Sequence, residues 1–296
     1  MASILLLGTA TLDLVFGLSH HPHADEEMRA DSLRTVRGGN AANSAVVLSQ
    51  LGHQAEFLGT LADAPETSVI TQDFERYGVG YAHCPRLPGK PPTSSIYLAG
   101  DTRSIVHYRD LPELPAAAIE AVDLHGCDWV HFEGRNIPET LTMMRYVRSR
   151  HPDLPISLEL EKPRDGMAAL FGLADLLICS SDFAQHSGSG EPHDFLRRMR
   201  QRAPQAQIVL ASGRQGAYGQ DSDGAIYHAA AVPPASMIDT LGAGDTFNAA
   251  IIHEALARSG MQAMLDKACS LAGAKCGVHG FALGEQHHVK IPVNRV

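Results

Sequence analysis

The stretch DTLGAGDTFNAA, Asp239 to Ala250, sets three small residues, Gly242, Ala243 and Gly244, directly ahead of a carboxylate, Asp245. With little or no side chain there, backbone N–H groups can come close to a ligand. Downstream, Phe247, Ala250, Ile251, Glu254, Ala255 and Arg258 mix apolar and polar positions at helical spacing, which predicts a helix starting within the loop. A helix N-terminus offers unpaired N–H donors and the positive end of the macrodipole, and both favour an anion such as phosphate. Asp245 is itself an anion, placed where a phosphate would want a cation. A carboxylate beside a phosphate cradle suits proton abstraction from a hydroxyl that attacks a phosphoryl group. Taken alone, the same residues also describe a turn with Asp245 as an N-terminal cap.

A second small-residue cluster, RGGNAANSA from Arg37 to Ala45, opens the first long helical pattern about two hundred positions upstream. Gly38 and Gly39 allow close backbone approach. Asn40 and Asn43 carry amides that both donate and accept, the chemistry needed to grip vicinal hydroxyls. Neither of two common nucleotide signatures is present: there is no G-x-x-x-x-G-K-[ST], and no G-x-G-x-x-G follows the first strand. Sixteen histidines, HHPH at residues 20–23 among them, raise the question of a metal, but the sequence pattern completes no ligand set and the segment reads as a surface loop. Five cysteines, scattered and without a C-x-x-C pair, fit reduced thiols in a cytoplasmic protein.

The elements that must position these loops are legible as alternating strand and helix. SILLLG, AEFLG, DWVHFE, PISLELE, ADLLICS and QIVLAS read as buried strands, with helical patterns such as NAANSAVVLSQLG, ETLTMMRYVRSR and EPHDFLRRMRQR between them. That alternation predicts a doubly wound α/β fold, its mainly parallel sheet flanked by helices and its ligands at the carboxyl ends of the strands. Residues 11–37 and 81–110 break the rhythm with period-two stretches, read as a small antiparallel β lid inserted in the α/β body. A length of 296 residues allows one large domain, and a net charge of −9 argues against binding nucleic acid or an anionic membrane. The apolar start, SILLLG, has no basic flank and reads as a strand rather than a leader or a membrane anchor. The tail after Phe281 carries no clear pattern.

Together GGNAAN and DTLGAGDTFNA resemble the two signatures of the ribokinase-like (PfkB) carbohydrate kinases, in that family's order and separation. HFEGRN, LELEKPR and AGAKCGVHGF are similar to its ketohexokinase (fructokinase) group, and the resemblance runs from Ile4 to about Phe281. It implies a single kinase domain over residues 1–296, with a β lid that in this group also clasps a second subunit to make a homodimer. It implies ATP and Mg²⁺ as cofactors, with K⁺ as a further candidate. By the same resemblance Asp13, Gly39, Asn40 and Asn43 hold the sugar, and Arg103 on the lid reaches the substrate and the transferring phosphate. Gly242, Ala243 and Gly244 form the anion hole, Asp245 is the base, and Asp25 reaches the partner's active site. Thr240, Asn248, Gly213, Gly216 and Cys276 fall near the nucleotide. Two departures stand out. The family's magnesium-organising N-x-x-E motif is replaced by SSDF, Ser180 to Phe183, and Thr102 stands before Arg103 where an asparagine is expected.

The implied reaction is transfer of the γ-phosphate of ATP to a free ketose, D-fructose at its 1-hydroxyl being the simplest case. Ribose, a sugar acid, a nucleoside or a sugar phosphate are the alternative acceptors. The first lid segment adds several acids to its arginines, which ranks free sugars above phosphorylated ones. A catalytically silent sugar-binding member would need a damaged anion loop or base, and both are intact.

Overall fold

The computed structural model describes residues 1–283, apart from 101 and 189. The chain opens with the apolar strand β1 (Ser3–Leu7), passes through β2 (Thr11–Leu18) and β3 (Ser32–Gly38), and enters α1 (Asn40–Gln50). There follow β4 (Gln54–Leu58), the short β5 (Leu61–Ala62), α2 (Ser68–Tyr77), the short β6 (Arg86–Leu87), β7 (Thr93–Ala99) and β8 (Thr102–Tyr108). The second half alternates regularly: β9 (Trp129–Glu133), α3 (Ile137–Arg150), β10 (Ile156–Leu160), β11 (Leu176–Ser180), α4 (Ser181–His186), α5 (Pro192–Arg202) and β12 (Gln207–Ala211). It closes with β13 (Ala217–Gln220), β14 (Ile226–Ala229), α6 (Ala243–Leu256) and α7 (Met261–Cys276).

Eight strands form the main sheet in the order β14-β13-β12-β11-β10-β9-β1-β4, parallel from β12 to β4 and antiparallel at the β13 and β14 edge. Both faces are covered, which is why the central strands are buried along nearly their whole length and largely apolar. One core lies against α1, α6 and α7 and includes Ala45, Val46, Phe57, Ile251 and Leu265. The other lies against α3 and α5 and includes Leu158, Met144, Phe171 and Phe195. Parallel strands all end on one side, so Gly8, Glu133, Glu159, Ser180 and Ala211 gather at a single rim.

The lid is a separate four-stranded sheet, β3-β2-β7-β8. Its two outer pairings are antiparallel, whereas the central pair, β2 with β7, is parallel. Both β2 and β7 leave the α/β body in the same sense, and each folds back through its own hairpin partner. Residues 86–87 pair instead with β5 beside the body, so the second lid segment begins at Thr93. Of the tail beyond Phe281, residues 284–296 lie outside the described residues.

Candidate active site

A cleft of about 1300 Å³ lies between the lid and the carboxyl rim of the main sheet. Strand alternation turns one row of each lid strand toward it: Asp13 and Val15 from β2, Ser94 and Ile96 from β7, Arg103, Ile105 and His107 from β8. The N-termini of α1 and α6 enter from the body. Thus Asp13, Gly39, Asn40, Asn43, Arg103, Thr240, Gly242, Gly244, Asp245 and Asn248, drawn from segments two hundred residues apart, line one space.

Asp245 sits in the first turn of α6, buried, and accepts a hydrogen bond of 2.5 Å from Asn43 Nδ2. Asn43 in turn accepts from Arg37, whose Nε donates to Asp73 at 2.6 Å, so the amide is held from behind. Burial raises the Asp245 carboxyl to about 7, against the lowering effect of the Asn43 bond and with the negative charges of Glu133 and Glu161 adding to the rise. The result is a carboxyl that titrates near neutrality, lining the cleft in the first turn of a helix. Gly242 caps that helix with φ 78°, the left-handed region, and a Cβ there would lie 2.2 Å from the Phe281 ring. A Cβ on Gly244 would meet nothing within 4 Å, so this side of the turn is open. The Ala243 N–H donates to Thr240 O at 3.3 Å.

On the lid side, Thr11 Oγ1 donates 2.7 Å to Asp13, whose carboxyl is raised by burial against the opposing effects of Thr11, Ser94, Arg37 and His107. Gly38 is required beside it, since a Cβ would fall 2.0 Å from Asp13 Oδ2. Gly39, with φ 98°, packs a hydrogen where a methyl would sit 1.9 Å from Thr9 O.

Four residues absent from the sequence-based site organise this one. Glu159 on β10 accepts from both Asn40 Nδ2 and Asn248 Nδ2, each at 3.0 Å, and so ties the first turn of α1 to α6. Burial, then the nearby Asp245, Glu133 and Glu161, hold its carboxyl well above the usual range, and its Oε2 has no hydrogen-bond partner among the described residues. Glu133, opposite Glu159 in register, accepts from the Thr9 N–H and pairs with Arg135. Asp239 accepts from Arg34 of the lid, from the Leu241 N–H and from the Gly280 N–H. Lys275, 0% exposed, donates to the Asp239 carbonyl at 2.8 Å. Burial works to raise the Asp239 carboxyl, but Lys275, these N–H groups and Arg34 outweigh it and hold it low. The signal in the sequence was the two glutamates of LELE, Glu159 inside the strand and Glu161 just past it, and Lys275 in the small-residue stretch AGAKCG.

Other residues named from the sequence fall elsewhere. Gly213 and Gly216 lie in the turn between β12 and β13, outside the cleft lining; Gly216, φ 86°, passes against Ala229 O, where a Cβ would be 1.9 Å away. Cys276 ends α7, and its carbonyl, which is what the fold uses, accepts from the N–H groups of Ile238 and Asp239. Asp25 is exposed in the loop between β2 and β3, with φ 61°, away from this chain's own cleft. In the SSDF stretch Ser180 caps α4 by accepting from the Phe183 N–H, and Ser181 and Asp182 face the cleft. With Glu161 they place carboxylate and hydroxyl oxygens on one rim, a donor set that suits a hard divalent cation.

Residues 1–287 match the pfkB family of carbohydrate kinases. The chain is 35% identical to ketohexokinase of Mus musculus over 289 residues, 94% of this chain and 97% of that one. It is 28% identical to ribokinase of Bacillus subtilis over 95% of this chain and 96% of that protein. Arabidopsis thaliana ribokinase, solved with ribose and ATP, shares the fold with a TM-score of 0.77 at 20% identity, over 95% of this chain and 94% of that one.

Proposed function

The chain belongs to the pfkB family of carbohydrate kinases and is therefore a sugar phosphotransferase; from that premise we propose that its acceptor is free D-fructose and its product fructose 1-phosphate. The observation that carries the chemistry is the buried Asp245 carboxyl at the N-terminus of α6, titrating near 7 and oriented by Asn43. In this reading Asp13, Asn40 and Asn43 hold the sugar hydroxyls, with Gly39 admitting the ring close to the backbone. Asp245 takes the proton of the 1-hydroxyl as that oxygen attacks the γ-phosphate of ATP in line. The N–H groups of Gly242, Ala243 and Gly244 offset charge on the transferring oxygens, and Arg103 does so from the lid. ATP lies along Thr240 and Asn248. Glu161 and Asp182, which line the cleft, would hold a magnesium ion, whose charge would offset that of the phosphates. The assignment of fructose rests on the stronger identity to a protein named ketohexokinase than to one named ribokinase.

The same reading makes the working form a cytoplasmic homodimer joined through the lid. The lid face turned away from the cleft carries Phe16 stacked on Tyr97 at 5.5 Å, with Leu33 58%, Val106 62% and Tyr108 56% exposed. A few strands with an uncovered apolar face are marginal in water, and a second lid is a self-complementary cover. Asp25 then reaches the partner's sugar site.

The acceptor is tested by measuring ADP release over a panel of ketoses, aldoses, sugar acids and nucleosides, with the product identified by NMR. Fructose should give the highest kcat/KM and phosphorylation at O1. A clear preference for ribose or a nucleoside would overturn the assignment while leaving the kinase chemistry standing.

A further inference from the structure

The loop that joins β2 to β3 carries HHPHADEE, whose sequence pattern by itself completed no metal-ligand set. The backbone brings such a set together. Asp25 adopts φ 61°, and this left-handed turn folds Glu26 back toward the two histidines that precede it. One ligand atom each from His20, His23 and Glu26 then lies within 4.8 Å of the others. His20 Nε2 donates to Glu26 Oε1 at 2.8 Å, and the His20 and His23 rings stand 5.5 Å apart.

We propose that His20, His23 and Glu26 form a binding site for a divalent transition-metal ion of the zinc class, on the lid and outside this chain's own catalytic cleft. Two imidazoles and one carboxylate are a donor set that zinc accepts, with a fourth position left for water. Tetrahedral metal–ligand bonds of about 2.0–2.2 Å fit ligand atoms that already lie within 4.8 Å of one another after small adjustments of three exposed side chains, the His20–Glu26 hydrogen bond opening to admit the ion. The metal takes the place of the hydrogen between His20 Nε2 and Glu26 Oε1, and the neutral imidazole then carries its N–H at Nδ1, toward Ser19 Oγ. Outer contacts that would orient such ligands are already made. His20 Nδ1 lies 3.1 Å from Ser19 Oγ, and Glu26 Oε2 accepts from the His23 N–H at 2.9 Å.

Occupancy has a structural consequence. His21, in the same loop, is hydrogen-bonded to Thr102 Oγ1 at 2.8 Å and lies 3.4 Å from Ser104 Oγ. A metal that closes residues 20–26 into a ring therefore also fixes the loop against β8, the strand that carries Arg103.

The test is calorimetric titration of metal-stripped full-length protein with Zn²⁺ alone, repeated with Co²⁺ to read visible ligand-field absorption. Wild type should bind one ion at this site, and His20→Ala, His23→Ala and Glu26→Gln should each weaken that binding by about tenfold or more. A His287→Ala/His288→Ala variant, which removes the adjacent histidines of the tail, and His186→Ala should retain it. These loop residues are exposed, so thermal melts of the variants should match wild type. Absence of saturable binding, or binding unchanged in any one of the three ligand variants, would overturn the site.

Discussion

At the scale of single residues, the informative group is Asp245. Its carboxyl is the anionic base only when deprotonated, and burial brings its titration to about 7. The rate of phosphoryl transfer should therefore fall as pH is lowered through about 7, visible in a kcat/KM profile. Asp245→Asn keeps the bond to Asn43 within reach but cannot take a proton, and should cost about 10² to 10⁴ in kcat with sugar and nucleotide binding retained. A kcat within about threefold of wild type would remove the role. The same burial has a stability consequence with a definite sign. The folded carboxyl titrates near 7 and the unfolded one near 3.8, so its contribution to folding is fully present below about pH 4 and is lost as pH rises through 7. Asparagine does not ionise. Asp245→Asn should thus melt at a higher temperature than wild type at pH 8, with the difference shrinking toward pH 4; an equal or lower melting temperature at pH 8 would contradict the raised carboxyl.

At the scale of elements, the start of α6 depends on a ring from a distant segment. Phe281 presses on Gly242, with the Arg37 guanidinium 5.3 Å from the ring centroid and the Lys275 ammonium 5.7 Å from it. A methyl at position 242 meets that ring at 2.2 Å and must also adopt a left-handed φ. Gly242→Ala should accordingly lower kcat more than it raises the KM for sugar, because it displaces the N–H groups that meet the transferring phosphate and leaves Asp13 and Asn40 in place. The double variant Gly242→Ala/Phe281→Ala separates the two causes. Where the clash dominates, its stability loss in urea will be less than the sum of the single losses, whereas additive losses would put the effect on φ alone.

For the whole molecule, the question is how many chains make one site. If the lids cover each other, sedimentation should give a dimer, and Val106→Glu should shift it toward monomer by burying a charge at the cover. Shared sites make a sharper expectation. Asp25→Ala should weaken sugar binding and spare ATP affinity. Mixing that variant with Asp245→Asn should restore one working site per mixed dimer, since Asp25 of one chain then meets Asp245 of the other. No recovery on mixing, or a fully active monomer at micromolar concentration, would exclude the arrangement.

Periodicity and local turn chemistry carried much of this protein. The apolar runs marked the buried parallel strands, and the two glycine-rich clusters marked helix starts, because both are properties of residues close together in the chain. Asp245, Asn40 and Asn43 were legible for the same reason. What the sequence did not disclose are contacts made across the fold. Glu159 bridging Asn40 and Asn248, Lys275 under Asp239, and Phe281 against Gly242 join residues from 36 to 119 positions apart, and no spacing rule reaches that far. Gly216 also shows a packing demand that its spacing did not disclose, since a Cβ there would lie 1.9 Å from Ala229 O. The pairing of β2 with β7 and the return of Glu26 toward His20 and His23 were likewise decided in three dimensions. Strand alternation specifies which side chains share a face; which strand lies beside it, and which loop residue folds back at a left-handed turn, depends on the packing of the rest of the chain.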